Sequence, residues 1–384
     1  MVTIAIVVGI KTDAISEYRY PEWLTDIPQS LVSKSRESWG NGEYGLGSDV
    51  GVAYYIQKFS KHQVDILTAK DISLQTFNKY DYVIGLYDPY YHANLTKKSS
   101  NYKKYNDIIK KTSATFLQPQ PFQRFVLDKK RHITELQKNN LPVVDTKSFP
   151  ITSKMNPQTM IQKISLYCDE WDTDYFITKP QPGGFGIGFK KWDINKLLQN
   201  SKPFIPYISK IKNQVLIEKP LLLVQNYVPE FEKFYEVRTY WLNGTYSHSL
   251  GTIIDPSSLG TEGFEKVIFA YPENEYDKDE FSTYDELPKV LDQSLVNSLK
   301  KIARKVIQVI PTDSTGIPYL IRIDFGCCLD NKNICRDYFI NEIEYLPNIF
   351  PEYNTHIDVL QKVGNAILTK INKLDKQKKS PKKK

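Results

Sequence analysis

The stretch Arg322-Ile-Asp-Phe-Gly326, followed after a short turn by Phe339-Ile-Asn-Glu-Ile-Glu-Tyr-Leu-Pro347, reads as two strands that pair as a hairpin. Side chains alternate across a strand, so Arg322 and Asp324 share one face, and Glu342 and Glu344 share one face of the partner. Three carboxylates converge. Like charges opposed across a ladder cost up to about 1 kcal/mol, so the cluster needs a cationic partner. Hard oxygen ligands with positions left open for water and phosphate suit Mg²⁺. Arg322 beside them can neutralise negative charge as it develops. The plain alternative is an exposed acidic strand face, but the mostly apolar neighbours favour a cleft.

Upstream, Leu222-Leu-Val-Gln-Asn-Tyr-Val228 precedes Phe234-Tyr-Glu-Val-Arg-Thr-Tyr-Trp-Leu242. An apolar strand running into an extended segment offers backbone N–H and C=O groups to a base edge, and Glu236 can accept ribose hydroxyls. Arg238 shares a face with Glu236. The chain has eight Arg against 43 Lys, so an Arg inside each of two apolar strands is informative. Its partner is either a structural carboxylate or a phosphate. Further upstream, Lys179-Pro-Gln-Pro-Gly-Gly-Phe-Gly-Ile-Gly188 places a lysine at a strand end, followed by Gly183, Gly184, Gly186 and Gly188. Glycines let backbone N–H groups converge on phosphate oxygens. The order matches neither GxxxxGK[ST] nor GxGxxG. A flexible turn uses the same composition, so the other motifs must decide.

The remaining sequence sets the frame. At 384 residues the chain holds two or three domains. Its 41% hydrophobic, 25% charged and 13% aromatic content describes a folded protein. No run approaches the ~20 apolar residues of a membrane helix, and MVTIAIVVG lacks a secretory pattern, so the cytoplasm is the expected location, with no membrane partner. Net charge is +7, but residues 370–384 hold eight Lys and one Asp, which leaves 43 basic and 43 acidic residues before them. The body is neutral and no nucleic acid is expected for it. The KKSPKKK ending reads as a solvated, disordered terminus, or else a localisation signal or polyanion-binding arm. Cys168, Cys327, Cys328 and Cys335 are too few and too uneven for a disulfide framework.

Apolar runs at 2–8, 64–68 and 82–87 alternate with amphipathic segments at 50–59 and 102–110, the pattern of an α/β layer with a parallel sheet. Residues 11–49 are irregular. A QPQPF joint at 118–122 precedes a helix expected over 123–139. Strands follow at 175–179, 215–218, 222–228, 235–242, 246–254, 319–328 and 337–343, with Asn243-Gly244 as a hairpin turn. Residues 255–287 read as a long acidic loop, and 294–310 and 357–371 as packing helices.

Taken in this order, the elements resemble the ATP-grasp superfamily over about residues 120–370. The resemblance implies an α/β and α+β architecture: an N-terminal parallel-sheet α/β domain at 1–120, a central subdomain with the glycine loop at 121–225, a C-terminal subdomain with the metal site at 226–370, and a disordered basic tail at 371–384. It implies ATP and Mg²⁺ (or Mn²⁺) as cofactors. Lys129, in Asp128-Lys-Lys-Arg-His132, matches the first phosphate-contacting lysine and Lys179 the second. Gly183, Gly184, Gly186 and Gly188 match the mobile loop over the triphosphate. Gln225, Asn226, Tyr227 and Val228 match the adenine hinge, and Glu236 the ribose acid. Arg322 matches the arginine that steadies an acyl phosphate, with Arg238 as a second anion partner. Asp324 and Glu342 match the metal-bridging acids, and Glu344 stands where the NEIN pattern has Asn.

The Lys233-Phe-Tyr-Glu-Val-Arg238 stretch is similar to KFDIR of tubulin-tyrosine-ligase-like members, and residues 9–17 resemble a substrate loop of D-alanine ligases. The implied reaction joins a carboxylate to an amine, of amino acid or peptide type, through an acyl phosphate. The alternatives are a small-molecule kinase of inositol phosphate type, whose acceptor is a hydroxyl, and a non-catalytic nucleotide-binding module. Asp324 and Glu342 are expected on the cleft surface, where amide substitution would stop turnover and leave the fold intact.

Overall fold

An uninterrupted apolar strand, Thr3–Val8 (β1), buries five of its six residues, as a strand covered on both faces must. In this computed structural model the described residues are all except 10–13, 16–19, 33–37, 40–42, 45, 88–98, 153–154, 182–187, 215–219, 230–235, 255–264, 272–292, 330–334, 350–356 and 380–384. After β1 come α1 (Ser48–Phe59), β2 (Gln63–Leu67), β3 (Tyr82–Leu86), α2 (Ser99–Lys111) and β4 (Thr115–Leu117). The four strands form a parallel sheet in the order β2-β1-β3-β4. Ile4, Ile6 and Val8 pack with Val52 and Ile56 of α1, whereas Ala5 and Val7 pack with Tyr105 and Ile108 of α2, so helices cover both faces.

Gln118, just beyond β4, is fully buried and ties this layer to the far end of the chain. Its Nε2 donates to the Leu320 carbonyl at 2.7 Å and the Tyr345 carbonyl at 2.9 Å, and its Oε1 accepts from the Tyr319 N–H at 3.2 Å. The single helix expected over 123–139 is two helices, α3 (Gln120–Leu127) and α4 (Lys129–Lys138). Asp128 breaks them apart because its carboxylate caps α4, accepting from the Arg131 N–H at 3.1 Å.

The next layer contains β5 (Thr146–Pro150), α5 (Pro157–Glu170), β6 (Tyr175–Gln181), β7 (Lys190–Asp193), α6 (Phe204–Gln214) and β8 (Leu221–Asn226). Its antiparallel sheet has the order β7-β6-β8-β5. Phe176, Leu222 and Val224 pack on Ile161 and Ile164 of α5 and on Phe204 and Ile208 of α6. Alternation therefore leaves Ile177, Lys179, Gln181, Leu223 and Gln225 on the opposite face. The strand expected at 215–218 lies outside the described residues.

The last layer contains β9 (Glu236–Leu242), β10 (Thr245–Ile254), β11 (Glu265–Tyr271), α7 (Gln293–Val309), β12 (Leu320–Leu329), β13 (Cys335–Glu344) and α8 (Val359–Lys379). Five antiparallel strands run β11-β10-β9-β12-β13. Asn243 and Gly244 both have positive φ, 50° and 80°, as the tight β9–β10 turn requires. β11 corrects the expectation of an unbroken loop over 255–287, since EKVIFAY carries enough strand-forming residues to pair with β10. Val237, Trp241, Ile321, Ile323 and Phe325 pack on α7, leaving Glu236, Arg238, Arg322 and Asp324 on the other face.

A second correction concerns the tail. α8 does not end at 371 but continues to Lys379. Leu360, Val363, Ile367, Ile371 and Leu374 recur every three or four residues and join the core of the first sheet. Gly364 permits the close approach: a Cβ there would lie 2.4 Å from the Tyr55 ring, whose hydroxyl donates to Asn365 Oδ1 at 3.1 Å. Lys378 reaches Thr115 Oγ1 at 3.0 Å. Residues 371–379 are thus ordered by burial and contact, while 380–384 lie outside the described residues. Among the described residues no helix is long and apolar enough to cross a membrane.

Candidate active site

In the β12–β13 ladder Arg322 lies opposite Glu344 and Asp324 opposite Glu342. The register then shifts, with Phe325 opposite Ile340, so Asn341 is the extra residue of a bulge. The Ile340 N–H donates to the Pro142 carbonyl at 2.8 Å. Asp324, Glu342 and Glu344 each present a carboxylate oxygen, all within 4.8 Å of one another, as strand alternation implies. Asn341 joins them. Its Nδ2 donates to Glu236 Oε1 at 2.6 Å, and its Oδ1 accepts from Lys179 Nζ at 3.1 Å. Alternation alone would have turned Asn341 away, so sequence reading passes it over.

Four basic side chains meet these acids. Lys129, the first residue of α4, places Nζ 2.5 Å from Glu342 Oε1. The start of α4 is held by Gln181, two residues beyond Lys179 on β6. Gln181 Nε2 donates to Asp128 Oδ1 at 2.8 Å, and its Oε1 accepts from the Lys130 N–H at 2.6 Å. One amide thus fixes both lysines relative to each other, and nothing in its sequence neighbourhood marks that role. Arg238 Nε lies 2.9 Å from Glu236 Oε2. Arg322 grips both oxygens of Asp324 at 2.8 Å and reaches Glu344 Oε1 at 3.2 Å. Four acids and four bases leave this cluster formally neutral.

Burial sets the electrostatics. Asp324 is 1% exposed, which corrects the expectation that it lines the cleft surface. Its bidentate partner Arg322 draws it inward, where desolvation pushes its pKa up to about 7 despite that cation. Desolvation also raises Glu344, opposed by Arg322 and reinforced by Glu342 and Asp324. Glu342 goes the other way: burial would raise it, but Lys129 and then Lys179 outweigh burial and hold it at about 2. Desolvation, helped by the neighbouring Lys129 charge, lowers Lys179 to about 8. His132, buried one turn beyond Lys129, falls to about 4 for the same two reasons and stays neutral.

The remaining expected residues are distributed as follows. Gln225 is on the Lys179 face of its sheet and donates to Thr146 Oγ1 at 3.0 Å. Asn226 lies opposite Phe176, on the face that packs against helices. Tyr227 Oη accepts from Lys191 Nζ at 2.6 Å, and Val228 follows it outside the sheet. Gly188 has φ +76°, and a Cβ there would lie 2.8 Å from Pro180 Cγ, so the position requires glycine. Gly183, Gly184 and Gly186 lie outside the described residues.

No family model matches the sequence, and no curated protein matches it. Solved structures do. D-cycloserine synthetase DcsG is 12% identical over 96% of this chain and 99% of its own, with a TM-score of 0.56. The D-alanine–D-alanine ligase from Bacillus anthracis complexed with ATP is 11% identical over 98% of this chain and 100% of its own, with a TM-score of 0.56. The ATP-grasp ligase PsnB complexed with a minimal precursor is 10% identical over 96% of this chain and 98% of its own, with a TM-score of 0.52.

Proposed function

We propose that this chain, which has the ATP-grasp fold, is an ATP- and Mg²⁺-dependent ligase that joins a carboxylate to an amine through an acyl phosphate. The observation that carries the reading is one cluster: three carboxylates within 4.8 Å, with Lys129 on one of them and Lys179 joined through Asn341. An all-oxygen donor set fits a hard divalent cation. Two lysines and two arginines fit phosphate oxygens.

In this reading Asp324, Glu342 and Glu344 would hold the divalent metal, which when bound would supply charge neutralisation to the phosphates. Lys129 and Lys179 bind the triphosphate, and Gly183, Gly184, Gly186 and Gly188 are assigned to its phosphate oxygens. The segment Gln225 to Val228 meets the adenine, and Glu236 the ribose. A substrate carboxylate oxygen attacks the γ-phosphorus and ADP leaves, with Arg322 and Arg238 countering charge on the acyl phosphate. The amine then attacks the acyl carbon, phosphate leaves with the C–O bond electrons, and the amine nitrogen loses a proton. Positioning and charge neutralisation supply this catalysis, so no His or Cys nucleophile is needed. The layer at 1–120 is assigned the acceptor side, and the layers at 121–225 and 226–379 the nucleotide. Amino acid and peptide acceptors both agree with the neighbours, and use of ATP supports a cytoplasmic location.

The test incubates the protein with ATP, Mg²⁺ and pooled amino acids, peptides and polyols, and reads free phosphate and new masses. Phosphate with an amide product is expected. A phosphorylated polyol without free phosphate would make it a kinase. No turnover and no Mg²⁺-dependent thermal stabilisation by ATP would refute the reading.

A further inference from the structure

We infer that Lys129 keeps metal off the acidic triad until a nucleotide is present, so that the protein loads metal and nucleotide together. This rests on the nucleotide reading above and concerns the order of loading.

Each acid of the triad already carries a basic partner. Arg322 takes both oxygens of Asp324 and one of Glu344, while Lys129 takes Glu342. The Lys129 and Glu342 side chains are 13% and 27% exposed, so solvent screens their pairing only partly. A cation that takes Glu342 Oε1 must displace an ammonium group 2.5 Å away, and one that approaches the other oxygen is repelled by it.

Displacement alone is unfavourable because Lys129 has no second acid to move to among its described contacts, and it already repels Lys179. Lys179 makes the problem worse. Its hydrogen-bond partner in the bulge is the neutral Asn341 amide rather than a carboxylate, so it shares Glu342 with Lys129 as counter-charge, with Glu236 the lesser one. Metal binding by itself would therefore take from Lys129 its counter-charge and from Lys179 the larger of two, and poorly compensated charge in such a place is costly.

A polyphosphate resolves this by exchange of partners. Lys129 and Lys179 pass to phosphate oxygens, which frees Glu342 for the cation. The cluster begins with four acids and four bases, and a divalent cation with a triphosphate adds net negative charge, which the two lysines released from Glu342 are placed to neutralise. By linkage, nucleotide must raise metal affinity by the same factor that metal raises nucleotide affinity.

The experiment measures Mn²⁺ binding by electron paramagnetic resonance, without nucleotide and with the non-hydrolysable analogue AMPPNP. It uses wild type, Lys129→Met, Lys129→Arg and the double variant Lys129→Met/Glu342→Gln. Without nucleotide, Lys129→Met should bind Mn²⁺ about tenfold more tightly than wild type, since the competing charge at Glu342 is gone. Lys129→Arg, which keeps that charge, should bind as poorly as wild type. The double variant should lose the gain. AMPPNP should raise Mn²⁺ affinity in wild type far more than in Lys129→Met. Equal Mn²⁺ binding by wild type and Lys129→Met without nucleotide overturns the inference, as does a gain that survives Glu342→Gln. Failure of wild type to bind AMPPNP with Mn²⁺ would instead overturn the ligase reading.

Discussion

Asp324 and Glu342 face each other across the β12–β13 ladder yet are held by opposite means: Asp324 is chelated by a buried arginine, and Glu342, itself partly exposed, is bonded to a largely enclosed lysine. Equivalent substitutions should therefore have different costs. Glu342→Gln should reduce turnover at least a hundredfold and lower the melting temperature by less than Asp324→Asn does, because solvent reaches the Lys129–Glu342 pair and partly relieves the lysine charge left behind. Asp324→Asn should also be inactive but destabilised by about 3 kcal/mol, because it breaks a buried ion pair. Denaturant titration of both variants beside a phosphate-release assay checks this. Equal stability of the two would show that the Arg322 pairing contributes little.

Gln118 joins three backbone groups from the two ends of the last layer to the first. Gln118→Leu leaves the Leu320 and Tyr345 carbonyls and the Tyr319 N–H without partners in a buried place. Urea unfolding should show a loss of about 1–3 kcal/mol. An unchanged midpoint would mean that these groups find water.

A chain ending at Lys370 removes the segment that composition marks as disordered. It also removes Ile371 and Leu374, which belong to the first core, and the Lys378 contact with Thr115. Each buried aliphatic side chain contributes about 1.5–3 kcal/mol, so calorimetry should record a clearly lower melting temperature. A melting temperature equal to that of the full chain would restore the disordered tail.

His248 is buried, stacked 4.4 Å above the Tyr240 ring, and desolvation lowers its pKa to about 3. His132 is lowered to about 4, by burial and then by Lys129. The unfolded chain binds protons at these sites near pH 6.5 and the folded chain does not, so the two histidines lower stability as pH drops below about 6.5, while the raised Asp324 and Glu344 carboxyls act in the opposite direction. The slope per histidine is about 1.4 kcal/mol per pH unit down to its folded value. His248→Phe preserves the ring stack and should make stability between about pH 6 and pH 4 less acid-sensitive than wild type by one histidine's share. A wild-type slope in that variant would remove His248 as a source of acid sensitivity.

The sequence by itself determined which carboxylates meet. Strand alternation is a local property of the backbone, so Arg322, Asp324, Glu342 and Glu344 were legible as one face without knowledge of any other layer. The runs that became β1, β2 and β3 were legible for the same reason, since an apolar run bounded by polar turns carries its own period. Only the tertiary structure decided what depends on distant partners. The bulge that turns Asn341 into the site answers to Lys179 and Glu236, and the placing of the α4 start beside β6 answers to Gln181. The ordering of residues 371–379 answers to a sheet built more than 250 positions earlier, because a lysine-rich segment is disordered alone and ordered once Ile371 and Leu374 find a core to enter.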